Sequence, residues 1–560
     1  MKILILAVVS LFVTVNGFSA VGRFYGIGMP IRSDSSVQGF PSYAAASPST
    51  VRRFYGISKP HHGGGGEANS SPTSSCLKRA VVAGGGPAGL LTAHALLSRK
   101  KSDGSSIYEV KVVDSREDPR LEKAGPRAYS LGLNIRGNHA VNYFDKPSRS
   151  SGLWNAIKRM GVESDSFWLH IGTNKFQIRK PAKPGVKKDD DAPPPTLLVP
   201  RNKLCAAMVD ELERTYGSDG RLSIDFSSKV EAIDLVKKTT SVGAYDMLIG
   251  ADGVASEVRS ALAEQTGLDT EAETLPGGYK VMLLNEAPES LDQHSVHAME
   301  SSRKDKAGFG LFLIPAPSSS TTTSERNSMC ALIAWQGDKV PEVIEKGSAA
   351  SVRDAIMADY PQLGCISFTE VNQLSAQRPS RAKLIRCNRY HDDSGVVLLG
   401  DAAHSTGGTL GQGANSALLD VVALDKCLDA TQDDISRAVS AFSAAQVKEG
   451  MALWQLLQLK PKNLPFPYGP LYSLLQLVRG VRAKTAKALL KLVRKLPGSE
   501  GKVGKIMVSL FAPLLKKPTQ TALSQTMTPF SEIVRQNAFW VSKALKKLGR
   551  EHLVPQMVAA

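Results

Sequence analysis

The sequence predicts an α/β protein with a doubly wound, mostly parallel sheet, a second domain built on a mixed sheet, and a helical C-terminal region. Three separated segments carry this prediction, because each reads as an apolar strand, a turn rich in Gly and Asp, and then a helix. They are AVVAGGGPAGLL from residue 80, DMLIGADGVASEVR from residue 246 and VVLLGDAAHSTGGTLGQGANSALLD from residue 396. Strands that alternate with helices in this way are typical of parallel sheets.

The first segment matches the glycine pattern G-x-G-x-x-G of dinucleotide-binding loops. Gly84 permits a tight turn, Gly86 lets backbone N–H groups approach a pyrophosphate, and Gly89 lets the helix pack closely on the strand. Ala88 lies in the loop just before the helix predicted over residues 90–97, whose N-terminus favours negative phosphates. The segment therefore predicts a bound dinucleotide, and a plain glycine-rich turn is the alternative.

Two carboxylates follow predicted strands and are candidates for binding a cofactor. A strand over residues 108–113 ends at Asp114, where a carboxylate can accept hydrogen bonds from a ribose. In the second segment Asp252 follows the strand, and Ser256 and Glu257 begin a helix. Asp252 could hold the turn and also reach a bound nicotinamide or flavin, whereas an ordinary strand–turn–helix is the alternative.

The third segment suits the other half of a flavin dinucleotide. Asp401 at the end of a strand can bind polyol hydroxyls such as the ribitol of FAD. Gly411 and Gly413 let backbone amides approach the pyrimidine edge of the flavin, where negative charge grows on reduction, and a helix is predicted from Asn415. His404 either lines the flavin or packs in a polar turn.

Together the three segments resemble the fingerprint, DG and GD motifs of the flavoprotein aromatic hydroxylases, the para-hydroxybenzoate hydroxylase superfamily. Within it the chain is most similar to the kynurenine 3-monooxygenase family, over roughly residues 78–455. The similarity lies in PRAYSLGLNIRG from Pro126, LPGGY from Leu275 and GVVLLGDAAH from Gly395. The FAD contacts that the resemblance implies are Gly84, Gly86, Gly89, Asp114, Arg127, Arg201, Asp401, Gly411, Gly413 and Asn415.

Arg201 opens a predicted helix at the place where the family has an arginine near the FAD pyrophosphate, and a solvated arginine is the alternative. The resemblance implies an enzyme whose FAD is reduced by NAD(P)H and then uses O2 to hydroxylate an electron-rich small molecule. The flavin carries this chemistry, so the sequence identifies no catalytic acid or base. Three alternatives stay open: an isoprenoid or carotenoid epoxidase, a geranylgeranyl-type reductase, and a flavin-binding protein without turnover at a membrane surface.

Two positions depart from the family pattern. Gly408 stands where the family usually has Pro in the GD segment. Relatives hold the substrate carboxylate with an Arg and a Tyr, and the matching positions here are Phe167 and the neighbourhood of Pro181. An apolar side chain cannot anchor a carboxylate. We therefore expect the fold to transfer and kynurenine not to be the substrate.

Composition and length complete the prediction. The predicted units are a signal peptide at 1–17, a disordered transit segment at 18–75, an FAD-binding domain from 76–150, 197–265 and 385–430, a substrate domain from 151–196 and 266–384, and a basic helical region at 431–560. Two low-complexity stretches, 180–196 and 317–328, are expected to be surface loops. The six cysteines include no C-x-x-C pair, so the sequence predicts free thiols in a reducing compartment and neither a zinc site nor a disulfide oxidoreductase.

The two ends of the chain suggest location. An apolar run over residues 3–15 followed by Phe18 resembles the bipartite presequences that direct proteins into algal plastids, and plain entry into the secretory pathway is the alternative. Residues 471–560 hold 16 Lys and Arg against three Glu, which is +13 of the chain's net +17. Two stretches there, 486–496 and 539–548, have apolar residues at helical spacing, so they suit either an anionic membrane surface or a helical cap. The near-neutral remainder argues against nucleic-acid binding.

Overall fold

The protein was analysed as a computed structural model. The residues that it describes are 77–121, 129–146, 152–179, 193–301, 303, 308–318, 326–375, 377–408, 410–476, 478–479 and 517–553. The predicted signal peptide, transit segment and Arg127 lie outside these residues, as do most of both low-complexity stretches and the amphipathic stretch 486–496.

The described strands are short and fall into several sheets. They are β1 Lys78–Ala83, β2 Tyr108–Asp114, β3 Ser130–Leu133, β4 Val162–Ser164, β5 Phe167–Ile171, β6 Asn174–Arg179, β7 Thr196–Pro200, β8 Leu222–Phe226, β9 Thr239–Thr240, β10 Gly243–Ala244, β11 Met247–Gly250, β12 Thr270–Thr274, β13 Gly278–Leu284, β14 Val296–Glu300, β15 Phe309–Ala316, β16 Ser328–Trp335, β17 Lys383–Cys387, β18 His391–Asp392 and β19 Val396–Leu398.

The described α-helices lie mainly between strands and at the C-terminal end. They are α1 Pro87–Leu97, α2 Ile135–Phe144, α3 Leu153–Arg159, α4 Arg201–Tyr216, α5 Glu257–Thr266, α6 Glu342–Lys346, α7 Ala349–Asp359, α8 Phe368–Ser375, α9 Asp401–His404, α10 Gly413–Ala430, α11 Ile435–Gln458, α12 Thr519–Gln525, α13 Phe530–Gln536 and α14 Ala538–Lys547.

A parallel sheet forms the centre of the first domain, as the sequence predicts. Its strand order is β18-β19-β11-β1-β2-β8, with β18 joining the edge antiparallel and the other neighbours parallel. Residues 80–83 of β1 and the whole of β11 are apolar and buried, as central strands of parallel sheets are. The loops that follow β1, β11 and β19 all begin at the same edge of this sheet, so the three motif segments meet there. The predicted α/β class is confirmed.

The second domain contains the predicted mixed sheet. Its order is β13-β16-β15-β14-β5-β6, with β14 and β5 parallel and the other pairs antiparallel. Helices α7 and α8 cover one face, where Ile356 and Val371 join a buried cluster. The opposite face carries a separate apolar cluster around Leu169 and Phe312.

The C-terminal region packs as a helical cap on the first domain. Side chains of α11, α13 and α14, among them Trp454, Phe530 and Leu545, form one buried cluster. Arg136 of α2 ties the first domain to this cap, because its Nε donates to the Leu523 carbonyl at 3.2 Å and its guanidinium stacks 4.3 Å from the Phe530 ring.

One of the two amphipathic stretches packs its apolar face against the protein, as the helical-cap alternative requires. Residues 539–548 correspond to α14, whose apolar side chains Val541, Ala544 and Leu545 are buried in the cap cluster. Helical periodicity identifies an apolar face without saying whether protein or lipid covers it. Within the described parts of the chain, no helix combines the length and apolar character needed to cross a bilayer.

Several element boundaries differ from the sequence prediction by a few residues. The helix expected from Asn415 begins two residues earlier, at Gly413. The two expected surface loops end one residue sooner, because Thr196 already begins β7 and Ser328 begins β16. Thr196 and Ser328 each pair with a residue of a neighbouring strand, and composition alone does not reveal such pairing.

Candidate functional site

The three motif segments converge at the carboxyl ends of β1, β11 and β19. Gly84 follows β1 with a φ of +107°, and a Cβ there would lie 2.3 Å from the carbonyl oxygen of Ala251, just after β11. Gly400 follows β19, and a Cβ there would lie 2.8 Å from the Cβ of Ala417 and 3.9 Å from the Cβ of Ala88. Open α/β sheets bind their ligands at this edge.

Two glycines of the first motif differ in what surrounds them. A Cβ at Gly89 would lie 1.9 Å from the carbonyl oxygen of Gly84, so glycine is required there for packing. A Cβ at Gly86 would have one neighbour within 4 Å, the Arg201 Nη2 atom at 3.5 Å, and its φ of −81° suits any residue. The space beside Gly86 is therefore open and faces a guanidinium, which fits a pyrophosphate group.

Asp114 lies beneath this loop and is buried. Its Oδ2 accepts a hydrogen bond from the Gly85 N–H at 2.7 Å. The Arg116 guanidinium donates to both carboxylate oxygens, at 3.0 Å from Nε and 2.7 Å from Nη2. The carboxylate thus shapes the glycine loop, and the ion pair with Arg116 is a feature that the sequence analysis missed. The contact of Asp114 with a ribose stays a prediction.

Asp252 caps helix α5, as one of its two predicted roles requires. Its Oδ2 accepts from the Glu257 N–H at 2.8 Å, and the Ser256 hydroxyl accepts from the Arg259 N–H at 3.0 Å. Burial raises the pKa of the Asp252 carboxyl. Its Oδ1 is buried without a hydrogen-bond partner among the described residues, so one oxygen is left for a ligand at this edge.

The GD segment places three of its predicted contacts together. Asp401 is solvent-accessible at the start of α9, and its Oδ1 lies 3.8 Å from the position of a Cβ on Gly413. Protein atoms around the side chain still remove part of its hydration, which raises the pKa of Asp401. Gly411 is exposed and has a φ of +63°. This cluster presents a carboxylate and the N-terminus of α10 to one space.

His404 is packed inside the protein and does not line this space. It is buried, its Nε2 lies 2.7 Å from the Asp420 Oδ2, and its ring packs beside Tyr390. Burial disfavours the imidazolium, yet the Asp420 carboxylate outweighs this and raises the pKa of His404. The same Asp420 oxygen accepts from the Gly400 N–H at 2.9 Å, so the pair holds the turn before Asp401.

Asn415 has a positioning role in the structure. Its Oδ1 accepts from the backbone N–H groups of Asn134 and Gly137, and its Nδ2 donates to the carbonyls of Gly132 and Gly411. The side chain, 1% exposed, thereby joins helix α2 to the GD loop. These four hydrogen bonds occupy both polar atoms of the side chain. The direct contact of Asn415 with FAD that the resemblance implies stays a prediction.

Gly408, which stands where relatives have Pro, has a φ of +73°. Proline is locked near −65°, so this backbone conformation excludes it. The departure from the family pattern is therefore tied to a local path of the GD loop that proline could not follow.

Two further residues connect the site and were not predicted. Arg259 donates from Nη1 to the Ala402 carbonyl at 2.9 Å and from Nη2 to the Val254 carbonyl at 2.8 Å, which joins the DG and GD segments. Tyr129 lies close enough to Asp401 and Tyr279 for both to affect its pKa, which burial raises. The signal for Tyr129 is its place beside Arg127 in the PRAYS stretch; Arg127 itself lies outside the described residues.

Comparison with known proteins agrees with this geometry. The model of the "FAD binding domain" family matches residues 78–434, well over half of the chain. The kynurenine 3-monooxygenase of Salinispora arenicola is 26% identical over 353 residues, which cover 60% of this chain and 71% of that protein. The pig (Sus scrofa) kynurenine 3-monooxygenase is 26% identical over 360 residues, covering 62% and 70%. Violacein synthase of Chromobacterium violaceum is 27% identical over 382 residues, covering 64% and 79%.

Solved structures give matches of lower sequence identity. The tetrameric form of 2-methyl-3-hydroxypyridine-5-carboxylic acid oxygenase is 20% identical, covering 66% of this chain and 86% of that chain, with a TM-score of 0.47. The p-nitrophenol 4-monooxygenase of Pseudomonas putida is 19% identical, covering 67% and 85%, also with a TM-score of 0.47. On the family match and its three convergent motifs, the chain belongs to the FAD-binding domain family and is an FAD-dependent monooxygenase related to the kynurenine 3-monooxygenases.

Proposed function

We propose that this monooxygenase hydroxylates a small aromatic or otherwise electron-rich molecule. Relatives bind the carboxylate of kynurenine at one position, and the substrate of this enzyme has no carboxylate there. One observation carries the proposal: Phe167, at the position of the relatives' arginine, packs with its ring centroid 6.0 Å from that of Phe312. Both belong to an apolar surface. The names of the relatives do not favour an isoprenoid epoxidase, a reductase or a protein without turnover.

The residues of the three segments, together with Asp114 and Arg201, suit FAD. Gly86 and Arg201 would receive the pyrophosphate, Asp114 the adenosine ribose, and Asp401 with the N-terminus of α10 the ribitol and flavin ring. When bound, FAD accepts a hydride from NAD(P)H and activates O2. The protein's own part is to hold the cofactor, orient the substrate and exclude water, and the apolar cluster against which Tyr129 packs suits the last of these.

The first test uses L-kynurenine itself. We expect it neither to stimulate NADPH oxidation by the purified holoenzyme nor to be hydroxylated, with a kcat/KM at least about 100-fold below that of a functional relative, because an unpaired carboxylate would be buried against Phe167. Stopped-flow flavin reduction and product chromatography measure both quantities. Efficient formation of 3-hydroxykynurenine would contradict the proposal and would point to another cation, such as Arg179.

We also propose that the basic C-terminal region contacts anionic membrane surfaces peripherally. The net charge of +13 over residues 471–560 supports this, as do two exposed side chains: Phe466, just before that stretch, and Phe539 within it are 89% and 54% accessible. Each basic residue near such a surface contributes about 1 kcal/mol, an attraction that salt weakens.

For this proposal we expect the full-length protein to co-sediment with anionic vesicles at low salt, to pellet little at high salt, and not to bind neutral vesicles. Deletion of the region would disturb the cap cluster, so point substitutions are the better probe. The pair Phe466→Ser and Phe539→Ser should lower the pelleted fraction severalfold. Val236→Ser, at a site 92% exposed in the first domain, is the matched control and should change nothing. Absence of pelleting by the unaltered protein would refute membrane contact.

Residues 1–75, outside the described residues, are proposed to direct the protein to a plastid through a bipartite presequence. The apolar run at 3–15 and the following Phe18 support this. A fusion of residues 1–75 to a fluorescent protein, expressed in an alga with secondary plastids, should reach the plastid. A Phe18→Ala fusion should stop in the endomembrane system, and secretion of both fusions would favour the secretory alternative.

A further inference from the structure

One face of the mixed sheet lies toward the flavin motifs, and we call it the inner face. Its orientation follows from two contacts: the Cys330 thiol lies beside Ser130 of β3, and Tyr129 packs against the apolar cluster of this face while lying close to Asp401. The opposite face is covered by helices α7 and α8. A substrate held between the GD segment and the second domain would therefore rest on the inner face.

The centre of the inner face is apolar across the whole width of the sheet. Strand pairing places one row of side chains side by side, one from each strand, and alternation along the strands puts the row on this face. From one edge to the other the row is Phe176, Leu169, Ala298, Phe312, Leu332 and Val281. Such a surface offers dispersion contacts and no hydrogen bond.

Two polar groups beside this row, the Cys330 thiol and the Tyr129 phenol, are uncharged. Burial raises the pKa of the Cys330 thiol to about 11, and it also raises the pKa of the Tyr129 phenol. Both groups therefore keep their protons at neutral pH. The Tyr129 hydroxyl could donate a hydrogen bond to a neutral oxygen or nitrogen, and neither group could balance the charge of a carboxylate.

Charged side chains of the described inner face lie at strand ends. Glu300 ends β14 and, as a carboxylate, would repel an anion. Arg179 pairs with Phe167 across β5 and β6, on the edge strand, and its Nη1 donates to the Thr196 hydroxyl at 3.2 Å. The cation nearest to the relatives' clamp position is thus at the rim of the face and already has a hydrogen-bond partner.

We propose that the substrate is an uncharged, apolar molecule, whose electron-rich ring or alkene lies on the inner face and which carries no carboxylate. The proposal rests on the monooxygenase function proposed above. An ion placed against the central row would lose its hydration without gaining a partner, whereas an apolar ring would bury surface on both sides. Specificity would then come from the shape of the apolar row and from the neutral donor at Tyr129.

Matched ligand pairs test this directly with the purified, FAD-loaded protein. Each pair shares one reacting group, and one member of each carries a carboxylate: 4-methylphenol against 4-hydroxybenzoate, geraniol against geranate, and 2-aminoacetophenone against L-kynurenine, which also carries an α-ammonium group. Binding is measured by perturbation of the flavin absorbance spectrum, and reactivity by the rate of anaerobic flavin reduction by NADPH. We expect the neutral member of at least one pair to bind at least about tenfold more tightly than its carboxylate and to accelerate flavin reduction.

Two variants sharpen the result. Phe167→Arg, which restores a cation at the clamp position, should tighten carboxylate binding at least about tenfold relative to the neutral member, whereas a purely structural effect would weaken both alike. Arg179→Gln should leave neutral-ligand binding within about twofold. Tighter binding of carboxylates that is lost in Arg179→Gln overturns the proposal, and so does the lack of any spectral response to the neutral series. Failure of NADPH to reduce the flavin under any condition counts against the monooxygenase function instead, because the binding measurement needs no turnover.

Discussion

Gly86→Val is expected to abolish FAD binding while leaving the protein folded. The substituted side chain would occupy the open space that faces Arg201, where backbone N–H groups must approach the pyrophosphate. The φ of −81° at Gly86 is allowed for valine, and beyond the two chain neighbours no backbone atom lies within 4 Å of the new Cβ. We expect FAD affinity to fall at least about 100-fold, roughly 2.7 kcal/mol, measured by flavin fluorescence on titration of the apoprotein.

Gly89→Val is the control that separates cofactor loss from unfolding. Its Cβ would lie 1.9 Å from the Gly84 carbonyl oxygen, so helix α1 could not pack on β1 and the apoprotein should unfold. Circular dichroism distinguishes the variants: a native spectrum for Gly86→Val and a lost thermal transition for Gly89→Val. Full FAD occupancy in folded Gly86→Val would refute the assignment of this loop to the pyrophosphate.

Local patterns predicted the elements of this site well. The glycine spacing, the carboxylate at the end of β2 and the Ser256 cap all depend on residues within a few positions of one another, where backbone geometry restricts the choice of residue. The parallel sheet also follows, because an apolar run before each turn is typical of strands buried in a parallel sheet. These features could be read from one sequence.

Partners from distant parts of the chain could not be predicted in the same way. Arg259 could be placed on a helix, yet its bond to Ala402 spans 143 positions. Asn415 was expected to contact the cofactor, and its four hydrogen bonds to α2 and the GD loop arise only when those elements pack. Helix α14 shows the same limit, since its apolar stripe was recognised and the partner of the stripe was left open.

Asp420→Ala is expected to destabilise the protein by about 3 to 5 kcal/mol, the usual cost of breaking a buried ion pair. The substitution removes the partner of the buried His404 and the acceptor of the Gly400 N–H at once. Because Gly400 sets the turn before Asp401, FAD affinity should fall as well. Urea unfolding followed by fluorescence measures the first effect and flavin titration the second. A loss below 1 kcal/mol would contradict the structural role assigned to this pair.

The pH dependence of the stability that is lost when Asp420 is substituted identifies the His404–Asp420 ion pair. The pKa of His404 is raised in the folded protein, so its pairing stabilises the fold fully below the unfolded value of about 6.5 and less as pH rises through the folded pKa. The gap in unfolding free energy between the unaltered protein and Asp420→Asn, which keeps the shape and loses the charge, should therefore be larger at pH 6 than at pH 9. In a His404→Gln background no imidazolium forms, and the same substitution should cost less and show no such step. A gap that is independent of pH in both backgrounds would mean that Asp420 acts only as the acceptor of the Gly400 N–H, with His404 neutral throughout.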